Sequence, residues 1–318
     1  MNVVCVQHGH GIWGGEDGGF VLDFIRALRV PMVVTLHDVP ANPSPAQRSI
    51  LTELVDTAGA TIVMSHAAAS GMARSYGVPA DRLDIVPQGV PHLPQVAADT
   101  IKPRLGLQGR AVILSFGLLE PGKGCETVID AMPAVIAAVP SALYVIMGAT
   151  DPDSLARDGD TYRASLEAQV AARGLGQHVR FADRFVGRVE LGNWLEAADV
   201  ITTPYPDLDR TVAATLSYAM AAGKPIVSTP YAYALEMLSP ELGRIVPPGS
   251  PDGLAGAFIE LLSDPDLRAS MGRRAYERSR GMVWWEIGSQ YRRIFDQAIS
   301  DAAASLRSPA RKFAAVVA

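Results

Sequence analysis

Cysteine is scarce in this chain: Cys5 and Cys125 are the only two among 318 residues. So few, so far apart, exclude a disulfide framework and point to a reducing compartment, with the cytoplasm as the default. Lysine is scarce too. Only Lys102, Lys123, Lys224 and Lys312 stand beside 24 arginines, so each lysine is an uncommon choice. Charged residues make up 19%, and 28 basic against 33 acidic residues leave a net charge of −5. That balance argues against a nucleic-acid coat. No apolar run approaches the ~18 residues that cross a bilayer. Residues 1–7 contain no basic residue and too short an apolar stretch for a secretory signal. Walker A spacing, Gly-x4-Gly-Lys-Ser/Thr, is absent.

What is present is apolar material: 48% of the residues are hydrophobic, enough for a sizeable core. At ~150 residues per domain the length suggests two domains or one large one. Short apolar runs alternate with amphipathic stretches. The pattern predicts strands over 3–7, 32–36, 61–64 and 83–86. After a break it predicts six more, over 111–116, 143–147, 179–181, 200–203, 226–228 and 244–246. Helices are expected between them, among them 45–57, 67–75, 126–138, 162–173, 189–197, 211–221, 252–262 and 266–278, and a long last one from about 284. Ser44 and Pro45 mark the start of the 45–57 helix. Strands apolar throughout and separated by helices indicate α/β architecture with parallel sheets covered on both faces. The break, 91–110, contains Pro91, Pro94 and Pro103 without periodicity and reads as a linker. With four predicted strands against six, a doubly wound first half lacks its opening strands.

In doubly wound sheets the ligand lies beyond the carboxyl ends of the strands. After the strand at 111–116 comes Gly117-Leu118-Leu119-Glu120-Pro121-Gly122-Lys123-Gly124 and then a helix. Such a turn suits a phosphate, held by backbone N–H groups and the Lys123 charge, or is an ordinary turn with a surface lysine. After the strand at 200–203, Thr203-Pro204-Tyr205-Pro206-Asp207-Leu208-Asp209-Arg210 leads into a small-residue helix from Thr211 to Gly223. That helix either packs in a core or offers its first amides to an anion. His8 and His10 follow one strand and His37 another. They read as structural histidines or as hydrogen-bond partners of a sugar hydroxyl or phosphate. Gly14 and Gly15 lie in a glycine-rich loop beside them. His8 and His10 lack a third ligand at metal-site spacing. Arginines among Trp284, Trp285 and Tyr291 read as the solvated face of a terminal helix, with a membrane-surface patch as the alternative.

Several ordered segments resemble the family 4, or group 1, glycosyltransferases of the GT-B fold. These are Phe116-Gly117…Lys123-Gly124, Val179-Arg180-Phe181, Ala197-Ala198-Asp199-Val200, Ala219-Met220-Ala221-Ala222-Gly223-Lys224-Pro225 and Gly243-Arg244-Ile245-Val246-Pro247-Pro248-Gly249. Thr35-Leu36-His37-Asp38 and Ile85-Val86-Pro87-Gln88-Gly89-Val90 add to them. The Gly-Leu-Leu…Pro-Gly-Lys-Gly pattern is similar to that of a mannosyltransferase-like branch. The resemblance implies two Rossmann-like doubly wound domains across a cleft: an incomplete acceptor-side domain over 1–95 and a nucleotide-sugar domain over 96–283. Residues 284–318 would form a helix crossing back, and a tail.

It further implies a retaining, metal-independent transferase acting in the cytoplasm or at the inner face of a membrane. Its nucleotide-diphosphate sugar is a substrate, with no cofactor, and its acceptor is a glycan or a lipid-linked or small molecule. His37 and Lys123 would be catalytic. Gly117, Lys123, Asp209, Arg210, Thr211, Val212, Ala213 and Tyr218 would bind the donor, and His8, His10, Gly14 and Gly15 would face the acceptor. Three departures stand out. Leu118 occupies the place of an arginine, Arg210 and Tyr218 occupy the places of two glutamates, and the opening strand with its glycine-rich loop is missing. They support the alternative of a degenerate GT-B protein that binds a nucleotide or glycan without turnover. An epimerase or phosphorylase on the same fold is a third reading. An incomplete first domain would also expose apolar edges and favour self-association.

Overall fold

The computed structural model describes residues 3–307; the tail beyond them, with Lys312, lies outside the described residues. The chain divides into two compact units. Unit 1 takes residues up to 89, 209–212 and those from 284 on; unit 2 takes 90–208 and 213–283.

Unit 1 opens with β1 (Val4–His8), α1 (Phe20–Ala27), β2 (Met32–Leu36), α2 (Pro45–Thr57), β3 (Ala60–Val63), α3 (His66–Tyr76) and β4 (Leu83–Ile85). The four strands are parallel in the order β1-β2-β3-β4. Sequential right-handed crossovers keep their helices on one face. There Val6, Val34, Leu36 and Val63 bury against Val21, Ile25, Leu54 and Met72. The start of α2 is closed by a capping box. Ser44 Oγ accepts from the Gln47 N–H at 3.0 Å, and Gln47 Oε1 accepts from the Ser44 N–H at 2.9 Å, with Pro45 in the first turn.

Unit 2 continues with α4 (Ala98–Ile101), β5 (Ala111–Phe116), α5 (Cys125–Ala138), β6 (Ala142–Met147), α6 (Pro152–Asp158) and α7 (Thr161–Ala172). Then come β7 (Val179–Ala182), α8 (Arg188–Ala197), β8 (Val200–Thr203), α9 (Ala214–Ala221), β9 (Ile226–Ser228), α10 (Ala232–Met237), β10 (Gly243–Ile245), α11 (Pro251–Ser263) and α12 (Pro265–Ser279). Six parallel strands lie in the order β10-β9-β8-β5-β6-β7. The chain winds outward from β5 and then returns to build the other side. Alternate strand residues feed two cores. Val112, Leu114 and Ile201 pack with Trp194 and Leu216, while Ile113, Tyr144 and Val200 pack with Val128 and Phe258.

The last helix, α13 (Trp284–Arg307), belongs to unit 1. Its Ile287 and Ala298 bury against Val33 and Ile62, the strand residues that point away from α1–α3. Among the described strands of unit 1 the winding thus runs in one direction only, and α13 covers the second face.

Two expectations change. Residues 91–110 are not an unstructured linker. They contain α4 and a 3-10 turn, Lys102–Leu105, and bury Leu93, Ile101 and Leu107 in the unit 2 core. Three prolines interrupt the periodicity that would have revealed this. The helix expected from Thr211 begins at Ala214, because Ala213 is extended (φ −145°, ψ 101°).

Candidate functional site

In an open doubly wound sheet, the crevice for a ligand opens beyond the carboxyl ends of the strands, where the strand order reverses. In unit 2 that point lies between β5, which is followed by β6 on one side, and β8 on the other. The loops that leave these two strands touch. Gly124 has φ +68°, and a Cβ there would lie 2.1 Å from the Pro204 carbonyl oxygen, so only glycine fits. Immediately before it, Lys123 is largely buried, its side chain 16% exposed. Its Nζ stands 3.2 Å from Glu120 Oε1 and 5.3 Å from the centroid of the Tyr205 ring. The Tyr205 hydroxyl lies 2.6 Å from Thr215 Oγ1, on the second residue of α9. A Cβ at Gly117 would be 3.6 Å from Thr215 Cγ2, so the start of the β5 loop closes the same group.

No described side chain caps α9, and its first amides have no intrahelical partner. Behind the site the polar groups are satisfied and fixed. Thr203 Oγ1 donates to Ser228 Oγ at 2.9 Å, Tyr231 OH donates to Thr203 Oγ1 at 3.1 Å, and Ser217 Oγ and Tyr233 OH are 2.8 Å apart. One ammonium, an uncapped helix start and a close-approaching glycine loop make a compact positive site, chemically suited to a polyphosphate.

Of the donor residues expected, Gly117 and Lys123 are brought together here. Ala213 forms the N-cap of α9. Tyr218 lies half-buried on α9 against the unit 2 core, and burial raises its pKa while nearby Arg188 opposes the rise. Asp209, Arg210, Thr211 and Val212 are part of unit 1, and the Thr211 carbonyl accepts from Ser65 Oγ at 2.7 Å. Thr211, Val212 and Ala213 are therefore not the first turn of a helix, as expected, but an irregular lead into one, extended at Ala213.

The histidines gather at the carboxyl ends of β1 and β2 in unit 1. The His37 N–H donates to the His8 carbonyl at 2.8 Å, and His37 Nε2 lies 2.6 Å from Gln7 Oε1. His8 is fully buried, edge-on to the His10 ring at 5.2 Å, with neither ring nitrogen hydrogen-bonded among the described residues. Burial, helped by His10 and His37, lowers its pKa to about 4, so it is neutral near pH 7. Burial lowers the His37 pKa as well. His8 thus lies inside unit 1 and not at its surface. His10 Nδ1 is held 3.2 Å from the Asp17 carbonyl. Gly14 and Gly15 lie against the Phe20 ring, which a Cβ at either would meet at 2.8 Å. Among the described residues no group of three or more His, Cys, Asp or Glu could hold a metal ion. No described helix is long and apolar enough to cross a membrane.

The family model described as Glycosyl transferases group 1 matches residues 98–278, more than half of the chain. The chain belongs to the group 1 glycosyl transferases. Residues 3–92 match a second model, described as Glycosyltransferase Family 4. The phosphatidyl-myo-inositol mannosyltransferase of Mycolicibacterium smegmatis is 29% identical over 240 residues, covering 74% of this chain and 57% of that protein. The D-inositol 3-phosphate glycosyltransferase of Corynebacterium glutamicum is 25% identical over 312 residues, covering 92% and 72%. The match thus spans little more than half the length of the first relative. Among solved structures, sucrose-phosphate synthase from Thermosynechococcus elongatus superposes with a TM-score of 0.79 at 21% identity, covering 94% of this chain and 74% of the other. HepE from Anabaena in complex with UDP gives 0.74 at 20% identity, covering 96% and 79%. These likenesses show the fold, GT-B.

In this group 1 chain two of the described lysines serve the interior. Lys102 Nζ pairs with Asp199 Oδ2 at 2.8 Å, and the same oxygen accepts from the Val112 N–H at 2.7 Å. Lys224 Nζ donates to the Glu196 carbonyl at 2.8 Å, and burial lowers its pKa against the pull of Glu196 and Asp199. Lys123 stands apart from both in facing a loop crevice. Tyr205, Thr215 and Glu120 were not anticipated as site residues. Pro204 and Pro206 around Tyr205 were the one local signal for it. Arg163, buried, donates to the Gly148 carbonyl at 2.9 Å and pairs with Asp183 at 2.7 Å, tying the loops after β6 and β7 together.

Proposed function

We propose that the chain is a retaining glycosyltransferase that moves a hexosyl group from a nucleotide-diphosphate sugar to a hydroxyl acceptor, without a metal or cofactor. The observation that carries this reading is Lys123, held over Tyr205 at the strand-order reversal of unit 2. Its charge and the uncapped amides of α9 face the charge that develops as the diphosphate departs. In the transfer, the bond from the anomeric carbon to the phosphate oxygen breaks and its electron pair leaves with the diphosphate. The acceptor oxygen bonds to that carbon on the same face, and the acceptor proton passes to the departing phosphate oxygen. The neutral His37 imidazole, fixed by Gln7, hydrogen-bonds the transferred sugar. Tyr218 offers a single hydroxyl to the nucleotide ribose, with Asp209 and Arg210 as further donor contacts.

The named activities of the curated relatives support an inositol-containing acceptor, lipid-linked or free; a glycan acceptor and a meeting in the cytoplasm by peripheral contact with a membrane are part of the same proposal. Incubation with UDP-glucose and GDP-mannose, with release of nucleotide diphosphate and the anomeric configuration of the product followed by NMR, tests the reading. Transfer with retained configuration is expected. No release from any nucleotide sugar would overturn it.

A second reading, binding without turnover, is favoured by Leu118, whose 40% exposed side chain puts no charge at a position next to the crevice. Nucleotide binding without donor cleavage would establish it.

A further inference from the structure

The carboxyl ends of the unit 1 strands and the first two turns of α13 enclose a pocket of about 360 Å³. That volume is in the range of small-molecule sites. One wall is the Trp284 indole, which is 49% exposed although it is the first residue of a well-packed helix. The ring is seated on Gly89: a Cβ there would lie 2.2 Å from it. The glycine therefore fixes where the indole lies, with half of its surface left for something else to cover.

The pocket's polar groups are held as a connected set. His37 Nε2 is 2.6 Å from Gln7 Oε1, Gln7 Nε2 donates to Thr35 Oγ1 at 3.3 Å, and that hydroxyl is 3.0 Å from Tyr291 OH on α13. Gln88 adds a second carboxamide to the lining. Among the described residues, no Asp, Glu, Lys or Arg lines the pocket. A phosphate or carboxylate would find no counter-charge here, and an alkyl chain would use none of the acceptor lone pairs that Gln7, Gln88 and Tyr291 keep beyond their bonds within the set. A ring with an apolar C–H face and several hydroxyls matches both features, the indole taking the face and the amides and phenol the hydroxyls.

We propose that this pocket binds a neutral polyhydroxylated ring, a pyranose or a cyclitol, on Trp284, with Gln7, Gln88 and Tyr291 reading its hydroxyls. The inference rests on the glycosyltransferase reading only in making that ring the acceptor, and it places the acceptor away from the loop of Gly14 and Gly15.

Saturation-transfer NMR on the full chain, with methyl α-D-mannopyranoside and myo-inositol as probes, tests it. Transfer to at least one probe is expected, with affinity reduced about tenfold or more in Trp284→Ala, the scale of a lost aromatic contact. Gly89→Ala, which pushes the indole out of place without removing it, should weaken binding similarly, and Trp284→Phe should restore most of it. Trp285→Ala, next along α13 but outside the lining, should bind like the wild type. If Trp284→Ala does not fold by circular dichroism, Gly89→Ala and Trp284→Phe carry the comparison. No transfer to either probe, equal loss in Trp285→Ala, or binding of 1-octanol that neither probe displaces would overturn the proposal. UDP binding measured on the same samples separates the failures. Intact UDP binding without ring binding sinks the pocket alone, whereas ring binding without UDP binding sinks the donor reading.

Discussion

The Lys123 ammonium stands 5.3 Å from the centroid of the Tyr205 ring, and this pairing, beside the close approach of Gly124 to Pro204, joins the loop after β5 to the loop after β8. An aromatic face attracts a cation without neutralising it. Glu120, 3.2 Å away, offsets part of the charge but is half-exposed and able to give way. The lysine is therefore positioned in advance while much of its charge stays available to an anion. Tyr205 is in turn positioned by Thr215, so the loop, the lysine and the start of α9 form one mechanical unit.

Removing only the Tyr205 hydroxyl should test that linkage. Tyr205→Phe loses the bond to Thr215 and should cost about 1 kcal/mol in denaturant unfolding, the net worth of a hydrogen bond. Tyr205→Ala removes a ring that is 3% exposed and should cost about 3–5 kcal/mol. Equal costs for the two would mean that the ring is poorly packed.

The interior lysines should behave differently from Lys123. Asp199→Ala leaves Lys102 buried without its partner and the Val112 N–H without its acceptor. A loss of about 3–5 kcal/mol in stability is expected, as for a broken buried pair. UDP affinity, measured by calorimetry on folded protein, should be unchanged. Weakened UDP binding there would move the phosphate site toward Asp199.

Unit 1 should lose stability in acid through His8. Its pKa falls from the ordinary 6.5 to about 4 on folding, because burial penalises the charged ring. Between those values the unfolded chain binds the extra proton, so stability is fully present above about pH 6.5 and declines as pH falls toward 4. His37 adds a contribution of the same sign. The urea midpoint followed against pH should fall in that window, and His8→Leu should flatten the slope. An unchanged slope in the variant would show that His8 is not its source.

β1 pairs only with β2, so its other edge has no strand partner among the described residues. Free strand edges template association. Light scattering should show mass rising with concentration, and Cys5→Lys, at an exposed position of that strand, should suppress the rise. A monodisperse monomer at all concentrations would show that the edge is protected.

The strands were legible because they are buried on both faces. Val33 and Val34 sit on opposite sides of the unit 1 sheet, and Ile113 and Leu114 on opposite sides of the other, so the runs are apolar without alternation. Ser44 and Pro45 marked the start of α2 because capping is local. The start of α9 was misplaced because Thr211–Ala213 has helix-compatible composition, while a contact from Ser65, 146 residues away in sequence, holds that stretch. Tyr205 was passed over for a related reason. Only the reversal of strand order, which places β8 beside β5, brings residue 205 to residue 123. Lys102 lay hidden in a proline-broken stretch whose burial depends on Asp199.

The central claim is that Lys123 grips the diphosphate at the strand-order reversal of unit 2. Calorimetric titration of UDP and GDP into the wild type and Lys123→Ala tests it most directly. At least one nucleotide should bind, and the variant should lose roughly 1.5–3 kcal/mol of that binding, the worth of a hydrogen bond to a charged group. Undiminished affinity in a folded Lys123→Ala would contradict the account.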